Sequence, residues 1–353
     1  MRITFVLPSL SFVPIGGYKV VYQYANAFAQ LGHHVEIIHV EKIATRKVTV
    51  KRIFKSMLID LKILNQKNIN WFKFVNGVNV HCVTTFDSKN FPNADVIVAT
   101  AWQTANPVCS LPLDKGKKFY FIQDHVVENG HEKEINDTWK LPMTNIVIAT
   151  WLKDVGEGLG VSCELVQNFV DRNEFYVTNP FENRKPSISM LYHEEKLKGS
   201  EDGIKALGIV LSKYPKIKVK LFGVSSRPSN LDPRIEYYEK YNADKLREDI
   251  YNKTSIFLST SHSEGWGLTA TEAMSCGNAL VSVENGGVMD FGIEGKTALL
   301  SKIGDIEKIS QNIEQLIEDD GLRKKLQKNS VDVVSKFSIE SSSKKFLSIL
   351  NDK

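Results

Sequence analysis

Short runs of apolar, β-branched residues alternate along the chain with longer stretches in which apolar residues recur every three to four positions. The short runs predict β-strands, and the recurring pattern predicts amphipathic helices. Regular alternation of the two is typical of parallel sheets covered by helices on both faces. In the first half the predicted strands are 3–7, 35–40, 78–83, 95–99, 118–122, 145–149 and 164–166, with a first helix from Tyr18 to Leu31.

The stretch 172–187 interrupts this pattern, because it holds Pro180 and Pro186 and has no apolar periodicity. The pattern then restarts with strands at 188–192, 217–222, 255–259 and 279–283. The helices predicted for this half are 201–213, 243–251, 268–276, 305–319, 321–335 and 338–351. We therefore expect an α/β fold of two facing, doubly wound Rossmann-like domains, with the ligand in the cleft between them.

The predicted domain boundaries follow the interruption. Residues 1–175 form the first domain, 176–187 the linker and 188–335 the second domain, while 336–353 form a helix that packs back toward the first domain. The length of 353 residues agrees with two domains of ~150 residues each. The net charge of +4 is small for this length, which argues against a protein that grips a nucleic-acid backbone.

The four cysteines lie far apart and form no Cys-x-x-Cys pair: Cys82, Cys109, Cys163 and Cys276. They are typical of reduced, mostly buried thiols. The apolar N-terminus is interrupted by Pro8 and leads into Gly16-Gly17, so it predicts a buried first strand rather than a signal peptide. No apolar run approaches the ~18 residues of a membrane span. We therefore expect a cytoplasmic protein.

The segment 255–287 carries the most chemical information. A predicted strand leads into Glu264-Gly265-Trp266-Gly267-Leu268, and a helix with Glu272 then ends at Gly277. Glycines let a backbone approach a ligand closely, and a helix N-terminus offers N–H groups to a phosphate. Carboxylates accept hydrogen bonds from vicinal hydroxyls, so the two glutamates suit the polyols that flank the diphosphate of a nucleotide sugar. The simpler interpretation is a solvated turn with two exposed glutamates. The combination of strand, glycine loop and helix favours a nucleotide-sugar site over a solvated turn.

Residues 264–277 resemble the Glu-x7-Glu segment of retaining glycosyltransferases of family 4, which have the two-lobed GT-B fold. The resemblance implies that Glu264 contacts hydroxyls of the donor sugar and that Glu272 holds the nucleotide ribose. The amides of residues 265–268 would bind the donor phosphate. The resemblance also implies that the leaving phosphate itself deprotonates the acceptor, so no general base is assigned.

Further matches extend along most of the chain. Gly16-Gly17 resembles the glycine loop of the family, which lies near the donor diphosphate and the acceptor. Residues 168–171 (Asn-Phe-Val-Asp) with Phe175 resemble the stretch that leads into the linker, with Phe in place of the usual Gly. Lys198-Gly199 resembles the pair in which the lysine neutralises donor phosphate.

One departure concerns an arginine that the family usually has five or six residues before this lysine. Tyr192 and His193 stand there instead. Either His193, Lys196 or another cation contacts the phosphate in its place, or the diphosphate is held less tightly.

Residues 119–125 (FYFIQDH) and 191–203 (LYHEEKLKGSEDG) are similar to bacterial polysaccharide enzymes, several of them rhamnosyltransferases. Asp124 and His125 follow a predicted strand of the first domain, where the family often places an active-site histidine. They are candidates for groups beside the transferred sugar or the acceptor hydroxyl. The alternative is a loop-capping aspartate beside a partly buried histidine.

Motifs of other chemistries are missing from the sequence. Without Asp-x-Asp, the metal-dependent way of holding a diphosphate is disfavoured, and no phosphate loop, His-Glu-x-x-His or Cys/His cluster occurs. The glycine-rich residues 156–160 lack the strand and helix of a dinucleotide fingerprint, so a loop is predicted there. We expect no metal and no cofactor, since the nucleotide sugar is a substrate.

Residues 46–73 carry eight basic residues against one acidic residue, an excess larger than that of the whole chain. Phe54, Met57, Leu58 and Leu61 recur at helical spacing and form one apolar face. A basic amphipathic helix suits an anionic membrane surface near a lipid-linked acceptor, or an anionic polysaccharide. A helix with core-facing apolar residues and a solvated, lysine-rich side accounts for the same pattern.

Together these features predict a retaining glycosyltransferase that moves a hexose or deoxyhexose, rhamnose among them, from a nucleotide sugar to a glycan or lipid-linked acceptor. Cell-surface polysaccharide synthesis is the expected setting. Two alternatives stay open. One is a non-catalytic relative that binds a glycan or a partner, which the missing arginine favours. The other is a sugar-nucleotide epimerase or phosphorylase on the same fold.

Overall fold

The structure is a computed structural model that describes residues 1–41, 49–61, 64, 69–126 and 130–352. The chain forms two compact units, one of Met1–Asn168 with Ile339–Lys353 and one of Phe169–Ser338. Each unit has a parallel sheet with helices between its strands, as the alternating sequence pattern predicts.

The first unit is built on a sheet in which all the described strands run parallel. These strands are β1 (Arg2–Pro8), β2 (His34–Val40), β3 (Val78–Val83), β4 (Val96–Ala99), β5 (Lys117–Ile122), β6 (Thr144–Val147) and β7 (Cys163–Leu165). Its helices are α1 (Gly16–Gln30), α2 (Val50–Asp60), α3 (Trp102–Cys109), α4 (Glu132–Trp139) and α5 (Thr150–Gly158). The strand order β3-β2-β1-β4-β5-β6-β7 reverses between β1 and β4. The carboxyl ends of strands at such a switch point leave a crevice for ligands.

The second unit repeats this plan. Its described strands are β8 (Ser187–Leu191), β9 (Lys218–Gly223), β10 (Ile235–Glu239), β11 (Ile256–Ser259), β12 (Ala279–Val283) and β13 (Ala298–Ser301). Its helices are α6 (Ser200–Lys213), α7 (Ala243–Lys245, continued by a π-helical turn Leu246–Tyr251), α8 (Leu268–Ser275), α9 (Ile306–Glu318) and α10 (Asp320–Val334). The order β10-β9-β8-β11-β12-β13 reverses between β8 and β11.

The final helix, α11 (Ile339–Asp352), completes the core of the first unit. Phe346 on this helix is fully buried among four aromatic rings of that unit. Its ring centroid lies 5.0 Å from those of Tyr24 and Phe121, 5.6 Å from that of Phe28 and 6.3 Å from that of Phe5. Aromatic clusters of this kind bury large apolar areas and add edge-to-face attraction.

The division between the units falls after Asn168, not at the predicted boundary after 175. Phe175 is buried, and its carbonyl accepts a hydrogen bond of 2.7 Å from Ser275 Oγ. The predicted linker 176–187 is also held by the second unit, because buried Arg184 donates to three backbone carbonyls elsewhere in that unit, at 2.9, 3.0 and 2.8 Å. Buried carbonyls require such partners, so this segment is part of the second unit and not a free connection.

Most predicted elements are present, and their ends differ by a residue or two. The elements that the sequence analysis did not predict are β10, β13, α3, α4 and α5. The prediction of a loop at 156–160 is wrong for its first half, since α5 extends to Gly158. A Cβ at Gly156 would collide with Cys163 Sγ on β7, so this glycine allows a helix and a strand to approach closely rather than a chain to turn.

Within the described residues, none of the helices combines the length and the apolar character that crossing a membrane requires.

Candidate functional site

The loop from β11 into α8 carries Glu264 on a fixed backbone. The Glu264 N–H donates to the Asn285 carbonyl at 3.2 Å, and the Glu264 carbonyl accepts from the Gly287 N–H at 3.0 Å. Gly267, just before α8, has a φ of +100°, which residues with side chains rarely adopt. These constraints place Glu264 beside the N-terminal end of α8, where the helix dipole favours an anion.

Lys198 lies against this loop. Its Nζ is 2.9 Å from Glu264 Oε1, and both side chains are partly exposed, at 29% and 22%. Gly199 makes this placement possible, because it has a φ of +59° and a Cβ there would collide with the Thr260 carbonyl. Two residues that are 66 positions apart in the chain thus share one ion pair.

Glu272 lies on α8 and is largely buried, with 8% exposure. The hydroxyl of Tyr251 is 3.4 Å from Glu272 Oε2. Burial, followed by the charge of Glu272, raises the pKa of Tyr251 well above its ordinary value, so this hydroxyl stays neutral and donates. The two glutamates therefore differ in setting: Glu264 is held by a cation at the surface, and Glu272 lies beside a buried phenol.

Trp266, between the two glutamates, turns its side chain into the core. It is 2% exposed and packs on Phe291 and Phe337, at 5.4 and 5.1 Å between ring centroids. Its contribution to a ligand would come from its backbone, and its indole anchors the loop.

His193, which we considered in place of the family's arginine, contacts Glu195 through its ring. The Glu195 N–H donates to His193 Nδ1 at 3.0 Å. The carboxylate oxygen Oε2 of Glu195 lies 3.9 Å from the same ring nitrogen.

His262 was not predicted, although it stands two residues before Glu264. Its backbone N–H donates to the carbonyl of Leu197 at 2.7 Å, and its ring nitrogen Nε2 lies 2.8 Å from Asp202 Oδ2. It therefore braces the turn that carries Lys198 and is joined to an acidic partner. The signal that could have indicated it is its place between the strand β11 and the Glu264 loop.

A cavity of about 230 Å³ in the first unit lies where β1, β4 and β5 end and α1 and α3 begin. Predicted residues Gly17 and Asp124 line it, together with Tyr18, Trp102 and Gln123. The Gln123 amide packs over the Cα of Gly17. Gly16, at the first position of α1, is exposed and does not line the cavity.

Asp124 and His125 are neighbours in sequence but point to different places. Asp124 is exposed at the cavity, and its Oδ1 accepts the His125 N–H at 2.8 Å. The His125 ring bonds to Asn136 Oδ1 at 2.8 Å and packs edge-on against Trp139 at 5.5 Å. The structure thus places the carboxylate at the cavity and the imidazole against α4.

A buried polar network beside the ends of β1 and β2 was also not predicted. Lys55 Nζ donates to Ser9 Oγ at 2.5 Å and to the Leu10 carbonyl at 2.7 Å, and lies 3.1 Å from Glu41 Oε2. One member of the basic segment 46–73 is therefore used inside the unit rather than on its surface.

Close to this network, His39 is fully buried between Tyr22 Oη, at 2.8 Å from Nε2, and the Pro8 carbonyl, at 2.8 Å from Nδ1. Burial lowers the pKa of His39 from 6.5 to about 4, against the opposing effect of the Pro8 carbonyl.

The apolar face of α2 is largely exposed. Phe54, Met57 and Leu61 are 61%, 55% and 68% exposed, and Leu58 is half-buried. Among residues 54–60 of this helix, Ser56 and Ile59 are buried. The interpretation of a core-facing apolar side is therefore wrong. Four basic residues of the segment lie outside the described residues: Arg46, Lys47, Lys62 and Lys67.

Among the described residues, no group of three or more His, Cys, Asp or Glu side chains is arranged to hold a metal ion.

The part of the chain that matches a known protein family lies in the second unit. Residues 171–332 match the family of glycosyl transferases group 1. The capsular polysaccharide biosynthesis glycosyltransferase CapM of Staphylococcus aureus is 26% identical over 141 residues, which are 38% of this chain and 37% of CapM. The uncharacterized glycosyltransferase MJ1178 of Methanocaldococcus jannaschii is 33% identical over 123 residues, which are 35% and 34% of the two chains. The chain thus spans little more than a third of the length of these relatives.

Solved structures resemble the whole chain at low sequence identity. Anabaena Alr3699/HepE, in complex with UDP and glucose, has a TM-score of 0.77 and 16% identity over 100% of both chains. The sucrose-phosphate synthase of Thermosynechococcus elongatus has a TM-score of 0.76 and 15% identity over 99% of this chain and 98% of that chain. The two Rossmann-like units thus match the GT-B fold that the resemblance implied.

Proposed function

Since residues 171–332 match the family of glycosyl transferases group 1, we propose that the protein transfers a sugar from a nucleotide-sugar donor to a glycan or lipid-linked acceptor. The configuration at the anomeric carbon is retained, and the transferred sugar is a hexose or deoxyhexose such as rhamnose. The setting is cell-surface polysaccharide synthesis on the cytoplasmic side of the membrane. CapM, a relative in capsular polysaccharide biosynthesis, supports this setting.

The observation that carries the proposal is the meeting of Lys198, Glu264 and the N-terminal end of α8 at the carboxyl end of β11. Lys198 and the amides of residues 265–268 hold the diphosphate, where they stabilise the charge that develops on the leaving group. Glu264 orients the donor sugar. Glu272, deeper on the same helix, accepts the hydroxyls of the ribose.

The protein supplies charge stabilisation and orientation rather than covalent chemistry. In the free protein Glu264 holds Lys198 at 2.9 Å. A bound diphosphate takes over Lys198, and the carboxylate of Glu264 turns to the sugar hydroxyls. Asp124, exposed at the cavity of the first unit, is the group we place beside the acceptor. His125 supports it through the backbone hydrogen bond to its carboxylate.

The test is a thermal-shift screen of UDP-, GDP- and dTDP-sugars on the wild type and on Glu272→Gln, which keeps the size of the buried side chain. A ligand at about a hundredfold excess over its Kd stabilises the folded state by about 2.7 kcal/mol. We expect one nucleotide sugar to raise the Tm of the wild type and not that of the variant.

Lys205→Ala, an exposed change on α6, is the matched control and should keep the full shift. A lack of response to all three donor classes would contradict the proposal and favour a non-catalytic, glycan-binding subunit. Conversion of the donor to another nucleotide sugar without an acceptor would instead indicate an epimerase.

We also propose that α2 rests on an anionic membrane surface. Phe54 and Met57 lie exposed on α2, exposed Leu61 directly follows this helix, and the segment 46–73 carries eight basic residues against one acidic residue. Exposed apolar side chains among basic residues are typical of interfacial helices.

The membrane proposal is tested by sedimentation with phosphatidylglycerol vesicles and with neutral phosphatidylcholine vesicles. The double variant Phe54→Ser, Leu61→Ser should bind the anionic vesicles at least tenfold less tightly than the wild type. Leu113→Ser, at a site that is 91% exposed in the same unit, should bind like the wild type. Equal binding by all three proteins, or equal binding to neutral vesicles, would contradict the proposal.

A further inference from the structure

We propose that His262 and Asp202 form a positioning pair, which holds Lys198 at the place where the donor diphosphate binds. The inference rests on the proposed function and adds to the donor site two residues that act through Lys198. They do so by holding the turn after β8 and the first turn of α6 against the loop after β11. All of the contacts that carry the inference lie within the second unit.

Lys198 lies at the end of a short turn that depends on support from other segments. The turn, Lys196–Lys198, is three residues long, and Gly199 follows it with a φ of +59°. Short turns of this 3₁₀ type have poor hydrogen-bond geometry. A lysine side chain also loses much rotamer freedom when it is held in one position. How well Lys198 is placed for a diphosphate therefore depends on how firmly the neighbouring segments hold its turn.

Residues 260–262, directly after β11, bind the backbone carbonyls on both sides of Lys198. Three hydrogen bonds do this: Thr260 Oγ1 to the Gly199 carbonyl at 2.8 Å, Ser261 Oγ to the Leu197 carbonyl at 3.2 Å, and the His262 backbone N–H to the same Leu197 carbonyl at 2.7 Å. The same segment leads into Glu264, whose carboxylate lies 2.9 Å from Lys198 Nζ. The turn and the loop that carry the two members of the ion pair are thus bound to each other.

The imidazole of His262 extends this connection to α6. Its Nε2 lies 2.8 Å from Asp202 Oδ2 in the first turn of that helix, and its Cδ2 is 3.0 Å from the place of a Cβ on Gly199. The two side chains are 33% and 18% exposed. They are therefore partly shielded from water, where a pair of this kind is stronger than on an open surface. The ring packs on the turn and joins the segments on either side of it.

This arrangement matters for the proposed reaction because a charge acts on a leaving group most strongly when it is already in place. Without the imidazole, the backbone bonds to residue 197 remain, but the loop after β11 is no longer tied to α6. The Nζ of Lys198 then occupies a wider range of positions. A displacement of about 1 Å in a reacting site can cost about 10²-fold in rate.

The test is a double-mutant cycle on donor binding. Calorimetric titrations with UDP-glucose, GDP-mannose and dTDP-rhamnose give the Kd of the wild type, His262→Ala, Lys198→Met and the double variant. We expect His262→Ala to raise the Kd of the donor that binds by about tenfold or more. In the Lys198→Met background the same change should raise the Kd by less than about twofold, because a residue that acts through Lys198 loses its effect once that charge is absent.

Further variants separate positioning from general stability. His262→Gln keeps an N–H that can reach Asp202, so it should bind the donor within about threefold of the wild type. Asp202→Ala should weaken binding as much as His262→Ala does. The matched control is His34→Ala, which removes a histidine–carboxylate pair of 2.7 Å from the first unit and should leave the donor Kd unchanged. Circular dichroism and Tm establish that each variant is folded.

A second measurement follows Lys198 without any ligand. Acetic anhydride at limiting concentration acylates lysine amines at rates that depend on how freely each amine reaches solvent, and mass spectrometry of peptides reports the rate at each site. Lys198 should react faster in His262→Ala than in the wild type, by about threefold or more, since its pair with Glu264 is partly exposed and is loosened by the change. Exposed Lys205 should react equally in both proteins.

Three results would overturn the inference and leave the proposed function intact. These are equal donor Kd values for the wild type and His262→Ala, equal losses from His262→Ala in both Lys198 backgrounds, and an unchanged acylation rate of Lys198. A wild type that binds none of the three nucleotide sugars would instead contradict the proposed function, and with it the role of the pair in donor binding. The acylation rates alone would then report whether the pair holds Lys198.

Discussion

The candidate donor site of the second unit and the cavity of the first unit are assembled in different ways. The candidate donor residues Glu264 and Glu272 lie within one continuous strand, loop and helix, and Lys198 is the candidate that comes from a distant part of the chain. The cavity is formed by residues after β1, β4 and β5, such as Gly17, Trp102 and Gln123. A site on one local segment leaves a motif in the sequence, and a site formed by several strand ends leaves isolated residues.

The largest expected effect comes from a substitution in the candidate donor site. Lys198→Met keeps the length of the side chain and removes the charge that we propose faces the diphosphate. Removal of one preorganised charge donor typically costs about 10²–10³-fold in kcat, or about 2.7–4 kcal/mol. The folded state should lose less than about 1 kcal/mol, since the pair with Glu264 is partly exposed.

Steady-state kinetics with the donor identified by the screen measure this change, and Lys205→Met on α6 is the control. A loss of less than about tenfold would show that Lys198 does not neutralise the leaving group.

The second prediction concerns the pH dependence of the stability of the first unit. Buried His39 has a pKa of about 4 when folded and ~6.5 when unfolded. Between these values the unfolded chain binds a proton that the folded chain does not, so the free energy of unfolding falls as the pH falls. From about pH 7 to about pH 5 the loss is about 2 kcal/mol.

His39→Gln can still donate to the Pro8 carbonyl and accept from Tyr22 Oη, but it does not titrate. When the variant is unfolded in urea at both pH values, its free energy of unfolding should not show this loss of about 2 kcal/mol. An unchanged pH dependence would mean that other groups account for it.

The smallest expected effect concerns the backbone that brings Lys198 to the donor loop. Gly199→Ala places a Cβ against the Thr260 carbonyl at a φ of +59°. The left-handed conformation alone costs about 1–2 kcal/mol, and the turn that carries Lys198 must shift. Unfolding and donor titrations should show lower stability and a higher donor Kd.

The control is Gly208→Ala on α6, where no heavy atom of the described structure lies within 4 Å of the added Cβ. That change should stabilise the protein by about 0.4–1 kcal/mol. If both substitutions change the free energy of unfolding in the same direction, this interpretation of Gly199 is wrong.

The sequence predicted the alternating elements and the Glu264 segment because both depend on local periodicity. It did not predict β13, nor β10, in which only Ile235 is buried and the other four residues are polar or aromatic. It also missed His262, whose partners Leu197 and Asp202 are distant in the chain. The apolar period of α2 showed one amphipathic face, but periodicity cannot tell which face meets the core, and Ile59 is buried instead of Phe54.

Because α11 follows the second unit in the chain, the core of the first unit can be completed only late in synthesis. The chain leaves the first unit at Asn168 and returns to it at Ile339, so every residue of the second unit is synthesised before Phe346. The aromatic cluster of the first unit stays open during this time, and the second unit has its complete sequence first. Biosynthesis therefore exposes the core of the earlier-made unit for longer than that of the later-made one, and a ribosome that stalls before α11 would release a chain with an unfilled core.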